Sequence, residues 1–115
     1  MIKKEHLTII KDGKEFNIYF NQIAYIEYSL RDTTIYLNHN SKIKLSEKSL
    51  SLLSKELDER FYQINRNIII NLDMEPIYNK GTVKINHNEF QVSRRNQKDL
   101  KIKILERSIY NARNI

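Results

Sequence analysis

The chain has no cysteine among its 115 residues, which excludes disulfide staples, thiolate zinc sites and cysteine nucleophiles and suits a reducing cytoplasm. Glycine is nearly as scarce. Gly13 and Gly81 each stand in a turn-like segment between apolar runs, so none remains for a phosphate-cradling loop or a dinucleotide-binding fingerprint. Long apolar runs are also missing. The opening "MIKKEHLTII" gives way to Lys11, Asp12 and Gly13, well short of the roughly 20 residues that a membrane-spanning helix needs. No export signal and no membrane insertion are expected. The single proline, Pro76, marks a sheet edge or a bulge. His6, His39 and His87 lie far apart, with no carboxylates at metal-ligand spacing. Glu27, Glu56, Asp58 and Glu59 read as solvated or salt-bridged residues and not as a catalytic pair. The expectation is a protein without catalytic residues, metal or cofactor.

What is present is charge, and its placement is uneven. Residues 1–59 carry nine basic and nine acidic side chains, whereas residues 60–115 carry eleven and five, so the whole net charge of +6 lies in the second half. A one-sided basic balance favours polyanions, of which nucleic acid is the commonest in a cytoplasm. Hydrophobic residues at 40% and charged residues at 30% suit an ordinary soluble fold, and the length suits one domain over residues 1–115.

The first half reads as short strands. Asp12-Gly13 between two apolar runs is a strong hairpin signal, and "IAYIEYS", "TTIYLN" and "KIKLS" follow, divided by polar turn formers. In "SEKSLSLLSKELDERF", Leu50, Leu53, Leu57 and Phe61 recur at helical spacing behind Ser46 or Ser49 as cap, which predicts the main helix. "IIIN" then reads as a strand buried on both faces. Asn79-Lys80-Gly81 and Asn86-His87-Asn88 read as hairpin loops. After Asn96, "QKDLKIKILERSIY" predicts a short helix with Leu100, Ile104 and Ile109 on one side, although "KIKIL" alternates like a strand.

Three segments in order, "IAYIEYSLRDTTIYL", "KSLSLLSKELDERFYQINRNIIINLDMEPI" and "TVKINHNEFQVSRRNQKDLKIKIL", resemble the LytTR DNA-binding domain of bacterial transcription regulators over roughly residues 5–107. The likeness rests on Tyr25-Ile26-Glu27, the helix from Ser49, "FYQINRNIIINL" and "VSRRN". It implies a mainly β fold: an elongated arrangement of small antiparallel sheets with one main helix and a short C-terminal helix. It also implies sequence-specific binding of double-stranded DNA through loops that enter the major groove. The matching loops are residues 29–34, 65–67 and 93–98. Regulators of this kind commonly act as homodimers on repeated sites, often behind a phosphoreceiver domain. Here that leaves a stand-alone regulator taking its signal from expression level or a partner protein, or an excised part of a larger response regulator.

On this resemblance Arg95, Arg66 and Thr33 contact bases, while Arg31, Asn65, Asn67, Ser93, Arg94, Asn96 and Lys98 hold the DNA backbone. An arginine fork matches guanine O6 and N7, and a threonine methyl can meet thymine. Each residue has a plainer alternative. Arg95 can pair with Asp99, Arg66 can pack along the sheet, and Thr33 and Arg31 can be hairpin surface. Arg94 projects away from Arg95 if the strand runs on through it. If Arg66 and Arg95 both read bases from separate loops, their contacts fall in adjacent turns about 10 base pairs apart. Two other functions compete with DNA reading. One is a protein-interaction module whose basic face meets an acidic partner. The other is single-stranded nucleic acid binding through Tyr62, Tyr78 and Tyr110.

Overall fold

The computed structural model describes residues 4–46 and 49–113. A hairpin of β1 (His6–Lys11) and β2 (Lys14–Tyr19) turns at Asp12-Gly13, where both residues have positive φ, the backbone that a two-residue hairpin loop requires. Three strands follow: β3 (Ile23–Ser29), β4 (Asp32–Leu37) and β5 (Lys42–Ser46). After a short helix α1 (Leu50–Ser54), β6 (Phe61–Asn65) and β7 (Ile68–Asn71) complete a five-stranded antiparallel sheet in the order β5-β4-β3-β7-β6. A third sheet, β10-β9-β8, is built from β8 (Ile77–Asn79), β9 (Thr82–Ile85) and β10 (Asn88–Gln91). Helix α2 (Gln97–Arg113) is the last of the described elements. Pro76 immediately precedes β8, an edge strand, as its missing N–H demands.

The five-stranded sheet carries a core on each face. One joins Leu7, Ile9, Ile18 and Phe20 to Ile26, Ile35 and Ile69, with Leu50 and Leu53 of α1. The other joins Tyr25, Ile64, Ile68 and Ile70 to Val83 and Ile85 of the third sheet and to Leu100 of α2. The "IIIN" run therefore lies in a strand buried on both sides, Ile69 facing one core and Ile68 and Ile70 the other. Asn71, at its end, is fully buried and satisfied: its amide donates to the carbonyls of Phe20 and Ile23 at 3.2 and 2.8 Å and accepts from the Asp73 N–H at 2.8 Å.

The helices reverse the expected lengths. The helix from Ser49 has five residues, while the C-terminal helix has seventeen. Ser49 caps α1 as expected, accepting from the Leu52 N–H at 3.2 Å. The Ser54 hydroxyl then donates back to the Ser51 carbonyl, and the Asp58 carboxylate takes the N–H of Arg60, local bonds that compete with helix continuation. Leu57 and Phe61 still pack on the first core, but from a loop and a strand. In α2, Leu100 is fully buried and Ile104 packs on the second core, whereas Ile109 turns away and is 47% exposed.

Asp73 ties the far end of α2 to the body. It accepts from Arg107 Nε at 2.7 Å and from Asn111 at 2.8 Å. Burial pushes its carboxyl up, but the bonds from Arg107 and Asn111 and the Arg107 charge outweigh burial and hold it below the ordinary carboxylate value. A carboxylate depressed in the folded state stabilises above its unfolded pKa of about 3.9, and that contribution is lost as pH falls through the folded value. Melting temperature should therefore drop on acidification through and below about pH 4, and Asp73→Asn should remove part of that drop. Parallel pH profiles for the two proteins would contradict the assignment.

Candidate nucleic-acid interface

A bulge begins the construction of the site. In the pairing of β6 with β7 the register shifts between Gln63 and Asn65, leaving Ile64 without a partner in the ladder. Its side chain is buried in the second core and its carbonyl turns to the segment after β10. There it accepts the Ser93 N–H at 2.9 Å and the Asn96 amide at 3.3 Å. Asn65 makes the reciprocal bond, donating to the Gln91 carbonyl at 2.7 Å while its Oδ1 accepts the Asn67 N–H at 2.8 Å. Two loops remote in sequence are thus stitched side by side.

The strand does not continue through the arginines. Residues Arg94–Asn96 form one turn of 3-10 helix that leads directly into α2, so Arg94 and Arg95 do not alternate across a sheet. Both line one open concavity of about 800 Å³ together with Ser93, Asn65, Arg66, Asn67 and, from the end of β3, Glu27, Tyr28 and Ser29. Contacts by Arg66 and Arg95 in adjacent turns of a duplex require a separation of roughly 34 Å. A shared concavity of this size is much shorter than that, against the expectation of two contacts about 10 base pairs apart. Among the described residues no ion pair engages Arg66, Arg94 or Arg95. Asp99, the alternative partner for Arg95, instead accepts from the Tyr62 hydroxyl at 2.9 Å; burial, with that bond, pushes this phenol up to about 12.

Several expected contacts lie elsewhere. Thr33 is fully buried, because it shares the inward face of β4 with Ile35, and so has no surface to offer a base. Asn65 has its amide nitrogen and oxygen bonded to the protein, and Asn96 directs its amide nitrogen at the carbonyls of Gln63 and Ile64. Both act in this structure as positioning residues of the stitch. Arg31, Arg66, Asn67, Arg94, Arg95 and Lys98 are exposed, and Ser93 is half-buried on the concavity wall. None of Tyr62, Tyr78 and Tyr110 lines it. The turn from β3 to β4 holds a residue that sequence reasoning passed over. Leu30 is 92% exposed, and Leu30 and Arg31 both have positive φ, a two-residue hairpin turn built without glycine or asparagine.

The model of the LytTr DNA-binding domain matches residues 13–105. The chain belongs to this family of DNA-binding domains. The fold is also similar to a solved Bacillus cereus structure, the LytTr DNA-binding domain of a protein described as a methyl-accepting/DNA response regulator. That similarity has a TM-score of 0.68 at 16% sequence identity and covers 89% of this chain and 98% of the other. No curated protein matches the sequence. Among the described residues no helix is long and apolar enough to cross a membrane, and no cluster of ligating side chains could hold a metal ion.

If the stitch holds the two loops together, Asn65→Ala should cost about 1 to 2 kcal/mol of unfolding free energy, two hydrogen bonds at roughly 1 kcal/mol each. Urea denaturation measures this, and a variant as stable as the parent would show that the stitch carries no energy.

Proposed function

We propose that the chain binds double-stranded DNA sequence-specifically and regulates transcription, with residues 65–67 and 93–98 entering one major groove. Arg66 and Arg95 read base edges. Arg31, Asn67, Ser93, Arg94 and Lys98 hold phosphates on either side. The observation that carries this reading is the convergence of Arg66, Arg94 and Arg95, unpaired by carboxylates among the described residues, on one open concavity. Glu27 and Glu89 also line it. A trough for phosphates alone has no use for carboxylates, whereas guanidinium forks beside carboxylate acceptors match guanine and cytosine edges. The same carboxylates disfavour an acidic protein as the partner.

The Bacillus cereus relative is described as a response regulator. By analogy the regulatory input here comes from a receiver domain or a partner protein, and two copies act together on repeated sites. The test of the reading is a pair of substitutions on a selected duplex and on random duplex. Arg95→Ala should weaken the selected site by about 1 to 3 kcal/mol more than random DNA, while Lys98→Ala weakens both about equally. Equal losses on both duplexes for Arg95→Ala would remove its reading role, and full tolerance of it would favour the protein-interaction alternative.

A further inference from the structure

Helix α2 packs on the body with one face and carries a second, apolar stripe on the opposite one. Leu100, Ile104, Arg107 and Asn111, spaced by four, three and four, face the body: the first two through the second core, the last two through Asp73. Ile102, Leu105, Ile109 and Ala112, spaced by three, four and three, fall about half a turn round the helix from these. All four are exposed, the first three at 47%, 62% and 47%. A lone surface leucine needs no explanation. Four apolar residues at this spacing match two heptads of the seam by which two helices pair in a coiled coil.

We propose that this face is a self-association surface, on which α2 of a second copy of the chain lies parallel to the first. Three observations select that occupant. Isoleucine at the first and third seam positions with leucine between them is the combination that favours two parallel strands. Lys101 and Glu106 flank the seam on opposite sides, five residues apart, the offset at which flanking residues of parallel helices meet. Each Lys101 therefore meets Glu106 of the second copy, twice by symmetry. Their present contacts are surface ones, Lys101 lying 5.5 Å from the Tyr78 ring centre and the exposed Glu106 3.6 Å from Lys103. Finally, four side chains over three turns cover less than the roughly 800 Å² per partner of a standard interface, so the pair is weak alone and is completed by DNA carrying two sites.

The parallel sense rests in part on the proposed DNA reading. It places both helix N-termini, and with them both copies of residues 93–98, at one end of the pair, where a single duplex reaches them. Antiparallel helices would carry them to opposite ends.

The absence of cysteine makes a cross-linking test clean. Ile102→Cys chains should form a disulfide dimer under mild oxidation without DNA, since only parallel helices bring this position within bonding distance of itself. Ile77→Cys chains, at a position 65% exposed on β8, should not. In sedimentation equilibrium without DNA the unmodified chain should dimerise with rising concentration. Leu105→Lys should retain the parent circular dichroism and affinity for a one-site duplex, yet remain monomeric and lose the added affinity for a two-site duplex. A parent chain that stays monomeric, a Leu105→Lys chain that still dimerises, or cross-linking that requires Ile102→Cys mixed with Ala112→Cys would each overturn the proposal. Failure of the DNA reading is separable: neither duplex would be bound specifically, while the results obtained without DNA would stand.

Discussion

The carbonyl of Ile64 is the point on which the arginine surface depends. β6 is the edge strand of its sheet and pairs with β7 alone, so carbonyls on its open side are left for other partners. At the bulge between Gln63 and Asn65 the unpaired Ile64 turns its carbonyl to the segment after β10, which takes it up through the Ser93 N–H and the Asn96 amide. Asn65 adds the bond to Gln91 from the opposite direction. The loop carrying Arg66 and the turn carrying Arg94 and Arg95 thereby share one frame. Arginine side chains have many rotamers, and a groove reader benefits when the backbone beneath them is already placed before DNA arrives.

The rest of the fold supports that frame from behind. Leu100 is buried in the same core as Ile64 and anchors the first turn of α2. Tyr25, Tyr36 and Phe90 stack and tilt against one another at 4.4 and 4.8 Å, joining the third sheet to the five-stranded one. A second register shift, between Ile23 and Tyr25 in β3, puts Ala24 and Tyr25 into one core together, and the carbonyl of Ile23 nearby goes to Asn71. Both irregularities of the sheet are thus answered by asparagines, whose amides donate to carbonyls at the shifted segments. Charge has a lesser part in holding the frame. The closest ion pairs, Arg60 with Asp58 and Arg107 with Asp73, lie away from the concavity and leave its guanidiniums for a ligand.

Local chemistry made much of this legible in the residues. Asp12-Gly13, Asn79-Lys80-Gly81 and Asn86-His87-Asn88 announced hairpins, each with positive φ in its turn, and "IIIN" announced a strand covered on both faces. The loops holding Arg66 and Arg95 were placed by family likeness, and the structure brings them together. Helix length was not legible. The leucine stripe from Leu50 to Phe61 is real, but a stripe records which side is buried and not whether the backbone stays helical; Ser54 and Asp58 decided that. Thr33 was misplaced because its position in a loop-sized window hid its register with Ile35. The roles of Asn65 and Asn96 depend on a bulge, which no periodicity reveals. Ile109 was assigned to the wrong side of α2 because two apolar stripes on one helix look, in sequence, like one broad face.

We propose that one stitched surface, formed by residues 65–67 and 93–98 with the turn at residues 29–31 beside it, meets DNA. Backbone amide exchange of the whole chain, free and saturated with a selected duplex, tests it most directly. The account predicts slowed exchange confined to these three segments, with the β1–β2 hairpin and the far side of α2 unchanged on a one-site duplex. Protection centred on that hairpin or along α2, with the arginine loops exchanging as they do in the free chain, would contradict it.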